Sequence, residues 1–244
     1  MATFCPSSGT IRFSDIKSAF GLSTVSLAAQ RSQIFWRADA YKGTLPSSTI
    51  KLSDFYSKGG TSPVVAQIGY WTANNGTTQG VTDVQSYTVP LYYKMQIDCR
   101  AGGGGGAGGD SYGVAAGNGE NGVNTSFGSY NTAYGGTGGS HSANGAKSAD
   151  GAGSDHIATG GGGGGAGYAG TSNGGAGGDG GFSSVTVYSP VNGGTGPSPG
   201  SVVTVTTGRG GSGSGGAAGY KYPYWYYGGN GSPGRYGEQA VYIS

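Results

Sequence analysis

Glycine is concentrated in tracts that fill the second half of the chain. Of 57 glycines in 244 residues, 8 lie in residues 1–100 and 49 in residues 101–244. The longest glycine-rich tracts are 102–109, 160–167, 174–181 and 208–219. Glycine loses more backbone entropy on ordering than any other residue, so such tracts are either flexible linkers or segments fixed by many backbone hydrogen bonds.

The rest of the composition narrows the choice of fold. Leu, Ile, Val and Phe together number 35, too few for one large aliphatic core, so the 18 tyrosines must supply much of the apolar surface. Intrinsic disorder also requires a high net charge, whereas this chain carries only +2. Collagen requires glycine at every third position and abundant proline, and the chain has nine prolines.

Charge and hydropathy exclude several kinds of partner. Only 10% of the residues are charged, without the basic stripe of a nucleic-acid-binding protein, and no apolar run is long enough to insert into a membrane. The first residues lack a secretory signal, which predicts synthesis in a host cytoplasm. Cys5 and Cys99 have neither metal-ligand nor redox spacing, and their pairing stays open.

A short repeat marks the beginning of the chain, Ile11 to Ile16 (IRFSDI) and Ile50 to Phe55 (IKLSDF). Each copy predicts an extended triplet followed by a short helix, with Ser14 or Ser53 as N-cap and Asp15 or Asp54 in the first turn. Gly21 and Gly59 are placed to end these helices in the left-handed conformation. We expect a small N-terminal strand and short-helix unit over 1–62.

Alternating patterns predict β-strands in the remainder. Residues 91–100 alternate without interruption, with Leu91, Tyr93, Met95, Ile97 and Cys99 on one face. Further strands are expected at 64–71, 81–89, 185–188, 202–206 and 240–243. Because strands occur before, between and after the glycine tracts, the tracts belong inside a domain over 101–244, preceded by a strand region over 63–100.

Tracts without side chains can pack backbone to backbone as extended polyglycine II helices that hydrogen-bond laterally. We therefore predict an all-β fold with a sandwich-like C-terminal domain of polyglycine II type. This lattice needs no aliphatic core, and the segments between tracts become loops on a rigid scaffold, where binding residues are common.

Aromatic side chains dominate two of these loops. One extends from Tyr112 to Tyr134, and the other is the run Tyr220 to Tyr227 (YKYPYWYY). Tyr and Trp offer a large contact area at low entropic cost, as recognition surfaces require. Two interpretations stay open: the rings bind a partner, or they pack as a core in a domain that is poor in aliphatic residues.

No other motif predicts chemistry. The two GGAGGD sequences, at 105–110 and 174–179, lack the consecutive repeats of a calcium-binding β-roll. His141, His156, Asp150 and Asp155 have no metal-ligand spacing and are expected to be solvated loop residues. No nucleophile, base and oxyanion arrangement can be assembled, so we expect neither an enzyme nor a cofactor.

Three segments resemble the glycine-rich domains of tail-fibre proteins from tailed bacteriophages: residues 87–109, 199–205 and 228–243. The N-terminal Ile-x-[Phe/Leu]-Ser-Asp repeat is also similar to a segment common in phage virion proteins. The resemblance implies a virion location in the tail, attachment to other tail proteins through 1–62, a possible homotrimer, and adsorption to a host cell-surface protein or glycan. The implied receptor-contact residues are Tyr112, Tyr130, Tyr134, Tyr222, Tyr224, Trp225, Tyr226 and Tyr227.

Two other functions are compatible with the same residues. The glycine lattice could serve only as a stiff structural component of a virion, with the tyrosines at subunit contacts. Alternatively, flat polyglycine II faces could order water as in an ice-binding protein, although the irregular tracts do not predict a repeated face.

Overall fold

The computed structural model describes residues 3–72, 83–141 and 173–244. Within these ranges the chain forms one α-helix and twelve β-strands, which confirms an all-β architecture. The helix is α1 (Phe13–Phe20), and the strands are β1 (Ile34–Trp36), β2 (Lys42–Thr44), β3 (Gln67–Thr72), β4 (Asp83–Thr88), β5 (Lys94–Arg100), β6 (Thr125–Phe127), β7 (Asn131–Ala133), β8 (Phe182–Tyr188), β9 (Val202–Thr207), β10 (Ala218–Lys221), β11 (Tyr224–Tyr227) and β12 (Glu238–Ile243).

The N-terminal unit combines α1, the β1–β2 hairpin and a 3₁₀ turn at Leu52–Phe55 around a small core. Its two repeat copies start their helices in the same way: the backbone N–H of Arg12 donates to Asp15, and that of Lys51 to Asp54, both at 2.7 Å. The basic residue is thus the N-cap, and the prediction of Ser14 and Ser53 was wrong. The aspartate at the third helical position accepts from the backbone N–H of the N-cap residue. The serine lies inside the first turn and cannot satisfy that N–H.

The helix ends also differ between the copies. Gly21 adopts the expected left-handed conformation, with φ +64°. Gly59 does not, because it pairs with Trp36 as an isolated β-bridge, and Ser57 takes the positive φ of 57° instead. The extended triplets expected before each helix are not strands. The strands of this unit come from the segment between the copies.

Two antiparallel four-stranded sheets form the centre of the molecule, in the orders β3-β12-β5-β8 and β4-β9-β6-β7. They pack face to face over one hydrophobic core that includes Met95, Ile97, Phe127, Val205 and Val241. The C-terminal strand β12 lies between β3 and β5, so the strand region 63–100 and the glycine-rich half share a sheet. All six predicted strand segments occur, with altered ends.

Asn131 joins the two sheets across the core. Its side-chain Nδ2 donates to the carbonyl oxygens of Ile97 and Ser183 at 2.8 and 2.9 Å, and its Oδ1 accepts from the Ser183 hydroxyl at 2.7 Å. Asn131 is buried, and every polar atom of its amide is used. A buried amide with all partners present fixes how the sheets face each other.

The alternation predicted from Leu91 fails at the beginning of β5. Met95, Ile97 and Cys99 are buried as expected, but Tyr92 is also fully buried, and its hydroxyl donates to the Pro197 carbonyl at 2.6 Å. The backbone N–H groups of Tyr93 and Lys94 both donate to the Ser244 carbonyl. Two successive donors on one acceptor mark a β-bulge, which shifts the alternation by one residue.

Within the described residues, six glycine-rich segments form a bundle that continues from the sheets: 101–109, 117–123, 135–140, 174–181, 208–217 and 228–237. The predicted tract 160–167 lies outside the described residues. Segment 101–109 lies in the centre, and its N–H groups donate to three neighbours in turn. Gly102, Gly105 and Gly108 donate to segment 117–123, Gly103, Gly106 and Gly109 to segment 228–237, and Ala101, Gly104 and Ala107 to segment 174–181. Each neighbour is contacted at every third residue.

The carbonyl groups of the central segment repeat the same spacing. Gly102 and Gly105 accept from segment 135–140, and Gly103, Gly106 and Gly109 accept from segment 208–217. The outer segments also bond to each other, again three residues apart. A side chain on an inward-facing residue has no room: a Cβ at Gly105 would overlap the Ser212 carbonyl.

The two cysteines lie in different cores and are both free. Burial raises the pKa of Cys5 to about 11, with a further contribution from Asp15. Burial likewise raises the pKa of Cys99 to about 12. Both side chains are therefore neutral thiols at physiological pH and pack as small apolar groups.

Candidate functional site

An aromatic hairpin extends from one end of the glycine bundle. Segment 208–217 leads directly into β10, and β11 leads directly into the neighbouring segment 228–237. The two strands pair antiparallel, from Ala218 opposite Tyr227 to Lys221 opposite Tyr224. Since β5 enters the central segment at Ala101, the far end of that segment, near Gly109, points away from the sheets. The bundle therefore separates the hairpin from the sheets.

The two faces of the hairpin carry different side chains. Side chains alternate along a strand, so Tyr220, Trp225 and Tyr227 share one face, and Tyr224 and Tyr226 share the other. The rings of Tyr220 and Trp225 contact each other, with their centroids 5.0 Å apart. Tyr222, at the turn, is 86% exposed, and Tyr224, Trp225 and Tyr227 are each at least 59% exposed. We call these four residues together with Tyr220 the aromatic tip.

The turn at the end of the central segment packs against the hairpin. The turn at 111–114, which ends the central segment, places Tyr112 against Gly219, where any side chain would collide with the Ser111 and Tyr112 atoms. The Ser111 hydroxyl donates to the Tyr226 carbonyl at 2.9 Å, and the Lys221 ammonium lies 5.7 Å from the Tyr112 ring centroid. These contacts fix the hairpin at both strands.

The structure separates the predicted receptor-contact residues into two groups. Tyr112, Tyr222, Tyr224, Trp225, Tyr226 and Tyr227 lie together at the tip end. Tyr130 lies in the β6–β7 turn at the opposite end and packs against Phe127 of the core. Tyr134, 53% exposed, follows β7 at the same end. The insert 112–134 therefore spans the whole bundle and does not form one surface.

Exposure excludes one of the two interpretations of the aromatic run, that its rings pack as a core. The sheet core contains Tyr92 and packs partly buried Tyr87 and Tyr130, whereas Tyr222, Tyr224, Trp225 and Tyr227 lie outside it. The rings of the tip are consequently surface groups and not the missing core of a domain poor in aliphatic residues. Rigid, exposed aromatic rings with polar edges suit contact with another molecule.

Two contributors to the tip were missed by the sequence analysis. The ring of Tyr220 contacts that of Trp225 at a tilt of 52°, and the Lys221 ammonium lies over the Tyr112 ring. Their positions in the aromatic run were visible, but their roles depend on the strand register, which sets Tyr220 opposite Trp225.

The polar insert with the two histidines is only partly described. His156, Asp150 and Asp155 lie outside the described residues. His141 is held by Asn118, whose Oδ1 accepts from the His141 backbone N–H and lies 2.9 Å from its ring Nδ1. In residues 3–72, 83–141 and 173–244 no three His, Cys, Asp or Glu side chains are placed to hold a metal ion. The same ranges contain no helix with the length and apolar character to cross a bilayer.

Comparisons of the chain with protein-family models, with curated proteins and with solved structures find no match.

Proposed function

We propose that the protein is a tail-fibre-like component of a bacteriophage virion that contributes to host recognition through the aromatic tip. The observation that carries the proposal is the exposure of five aromatic rings at the end of a bundle fixed by regular backbone hydrogen bonds. A rigid support lowers the entropic cost of binding because the contact residues are already ordered.

The bundle is, in this proposal, of polyglycine II type. This assignment is supported by the three-residue spacing of the hydrogen bonds between segments, which matches the three residues per turn of the polyglycine II helix. An antiparallel β-strand would instead direct its bonds to two neighbours with a spacing of two residues. The lattice accounts for glycine in the tracts and for the small number of aliphatic residues.

The N-terminal unit would join the protein to other tail components. It lies at the sheet end of the molecule, and Phe13 on its helix is 54% exposed. This arrangement leaves the aromatic tip free for a protein or glycan of the host surface. No catalytic group or cofactor takes part in this function.

The test is binding of the fluorescently labelled protein to a panel of bacterial strains, measured by flow cytometry. The double variant Tyr224→Ser/Trp225→Ser removes two exposed rings of the tip and is expected to abolish saturable binding. Tyr134→Ser is the matched control, because it removes an exposed ring at the other end of the bundle. Circular dichroism and a thermal melt establish that both variants are folded.

The outcomes separate recognition from a purely structural role. Binding lost only in the double variant supports recognition by the tip, and loss in Tyr134→Ser alone would move the contact to the sheet end. A folded wild-type protein that binds no strain would contradict the proposal and favour a structural virion component.

A further inference from the structure

A small depression lies in the outer face of the sheet β3-β12-β5-β8, far from the aromatic tip. Ala240 forms its floor, because the register places Ala240 of β12 between Tyr70 of β3 and Asp98 of β5. The small side chain leaves a cavity of about 100 Å³ between larger neighbours. Val241 and Gln239 point to the core, so Ala240 and Tyr242 face outward.

Polar groups with defined partners form one wall of the depression. Nη1 of Arg100 lies 3.2 Å from Oε2 of Glu238 in an ion pair, and Tyr70 lines the depression beside them. The ion pair orients the guanidinium and the carboxylate without burying them. A guanidinium has five N–H donors, so the ion pair leaves Arg100 with further N–H groups that can donate to a ligand.

Asp98 lies on the same side and is oriented by its neighbours. Its Oδ1 accepts from the Gln96 amide at 3.1 Å and from the Ser184 hydroxyl at 2.6 Å. Among the described ranges, no hydrogen bond reaches Oδ2. The depression thus offers a carboxylate acceptor, Oδ2, close to a guanidinium donor.

Two exposed tyrosine rings complete the rim. Tyr70 is 58% and Tyr242 is 41% exposed, and both line the cavity. Burial and the nearby Glu238 carboxylate raise the pKa of Tyr70, so its hydroxyl stays protonated at neutral pH. The depression thus combines the apolar ring surface of the two tyrosines with one donor side chain, Arg100, and two acceptor side chains, Asp98 and Glu238.

This combination selects a class of ligand. The volume is well below the ~300–1,000 Å³ of sites for drug-sized molecules, so the ligand is about one ring in size. Asp98 and Glu238 repel an anion, and Arg100 repels a cation. A neutral ring with an apolar face and adjacent hydroxyl groups matches both the tyrosines and the paired donor and acceptor.

We propose that this depression binds one hexopyranose unit of a neutral glycan. The C–H face of the sugar lies against Tyr70 or Tyr242. Two adjacent hydroxyl groups engage Asp98 and Arg100, one donating to the carboxylate and the other accepting from the guanidinium. The site is separate from the aromatic tip and does not depend on it.

The test is titration of the ¹⁵N-labelled protein with methyl glycosides of glucose, galactose, mannose and N-acetylglucosamine, followed by NMR. We expect saturable shifts of amides near Ala240 with at least one glycoside, at a millimolar dissociation constant typical of a single sugar ring. Ala240→Leu fills the depression and should abolish the shifts. Thr186→Leu, on an exposed position of the same sheet, is the matched control and should bind normally.

A second variant covers the case in which Ala240→Leu perturbs the sheet. Asp98→Asn keeps the shape of the side chain but removes its charge and replaces one of its two carboxylate oxygens by an amide nitrogen. It should weaken binding about tenfold, as expected for the loss of a charge-assisted hydrogen bond. Absence of saturable shifts with every glycoside, equal binding by Asp98→Asn, or equal shifts with glycerol would overturn the proposal. Trp225→Ser should leave sugar binding unchanged, which distinguishes this site from the tip.

Discussion

At the scale of single residues, the glycine bundle is governed by the space around each Cα atom. The inward residues approach a neighbouring carbonyl so closely that no Cβ fits, and Gly105 faces the Ser212 oxygen in this way. Gly215 lies in an outer segment and is exposed, and a Cβ there would meet nothing within 4 Å. The two glycines therefore occur for different reasons, although the sequence shows both as members of a tract.

The first prediction compares Gly105→Ala with Gly215→Ala. Gly105→Ala forces two backbone segments apart and should lower the free energy of unfolding by about 1–3 kcal/mol or more, as overpacking does. Gly215→Ala restricts only the unfolded chain and should raise that free energy by about 0.4–1 kcal/mol. Thermal and urea unfolding measure both, and equal stability of the two variants would show that the close approach is absent.

At the scale of elements, a row of asparagines closes the side of the bundle. Asn118, Asn121 and Asn124 are three residues apart, and their Oδ1 atoms accept from the backbone N–H groups of His141, Gly138 and Gly135. Two of these side chains thus bind N–H groups that lie next to those of Gly136 and Gly139, which donate to the central segment. The spacing Asn-x-x-Asn-x-x-Asn is the sequence signal of this arrangement.

The second prediction concerns the middle of this row. Asn121→Ala removes the acceptor of the Gly138 N–H, now at 2.7 Å, and should cost about 0.5–1.5 kcal/mol of stability. Asn121→Asp keeps an acceptor oxygen at the same position and should cost less. The measurement is the urea midpoint of each variant, with amide exchange of Gly138 as the local readout. Faster exchange in Asn121→Asp than in Asn121→Ala would contradict the role of the oxygen.

The elements that sequence could predict are those with a strong local pattern. The strands with alternating β-branched or aromatic residues, such as Val202–Thr207, were expected and occur. The three-residue strands β6 and β7 were not, because segments of this length carry no measurable period. Helix starts were displaced by two residues, since Asp15 satisfies the N-cap from within the turn. The aromatic run could be located from composition, but its exposure depends on tertiary packing.

At the scale of the whole molecule, one asparagine connects the N-terminal unit to the sheets. Asn192, in the turn between β8 and β9, accepts from the Lys42 N–H at 2.7 Å, and its Nδ2 donates to the Ala40 carbonyl at 2.9 Å. Beside it, Trp36 packs edge-on against Tyr93, with ring centroids 5.3 Å apart, and the Lys42 ammonium lies 4.9 Å from the Tyr93 ring centroid. The unit is thereby held in one orientation relative to the bundle and the tip.

The last prediction tests whether this contact couples the unit to the rest of the molecule. Asn192→Ala removes both hydrogen bonds and leaves the Ala40 carbonyl, in a fully buried residue, without its partner, which should cost about 1–3 kcal/mol. Hydrogen exchange followed by mass spectrometry should show faster exchange across 13–55, while segment 101–109 is unchanged. Asn230→Ala is the matched control, because it removes one exposed bond to Gly216 within the bundle and touches no part of the N-terminal unit. Unchanged exchange across 13–55 in Asn192→Ala would mean that the aromatic contacts alone hold the unit, and the orientation of the tip relative to its attachment would then depend on Trp36 and Tyr93.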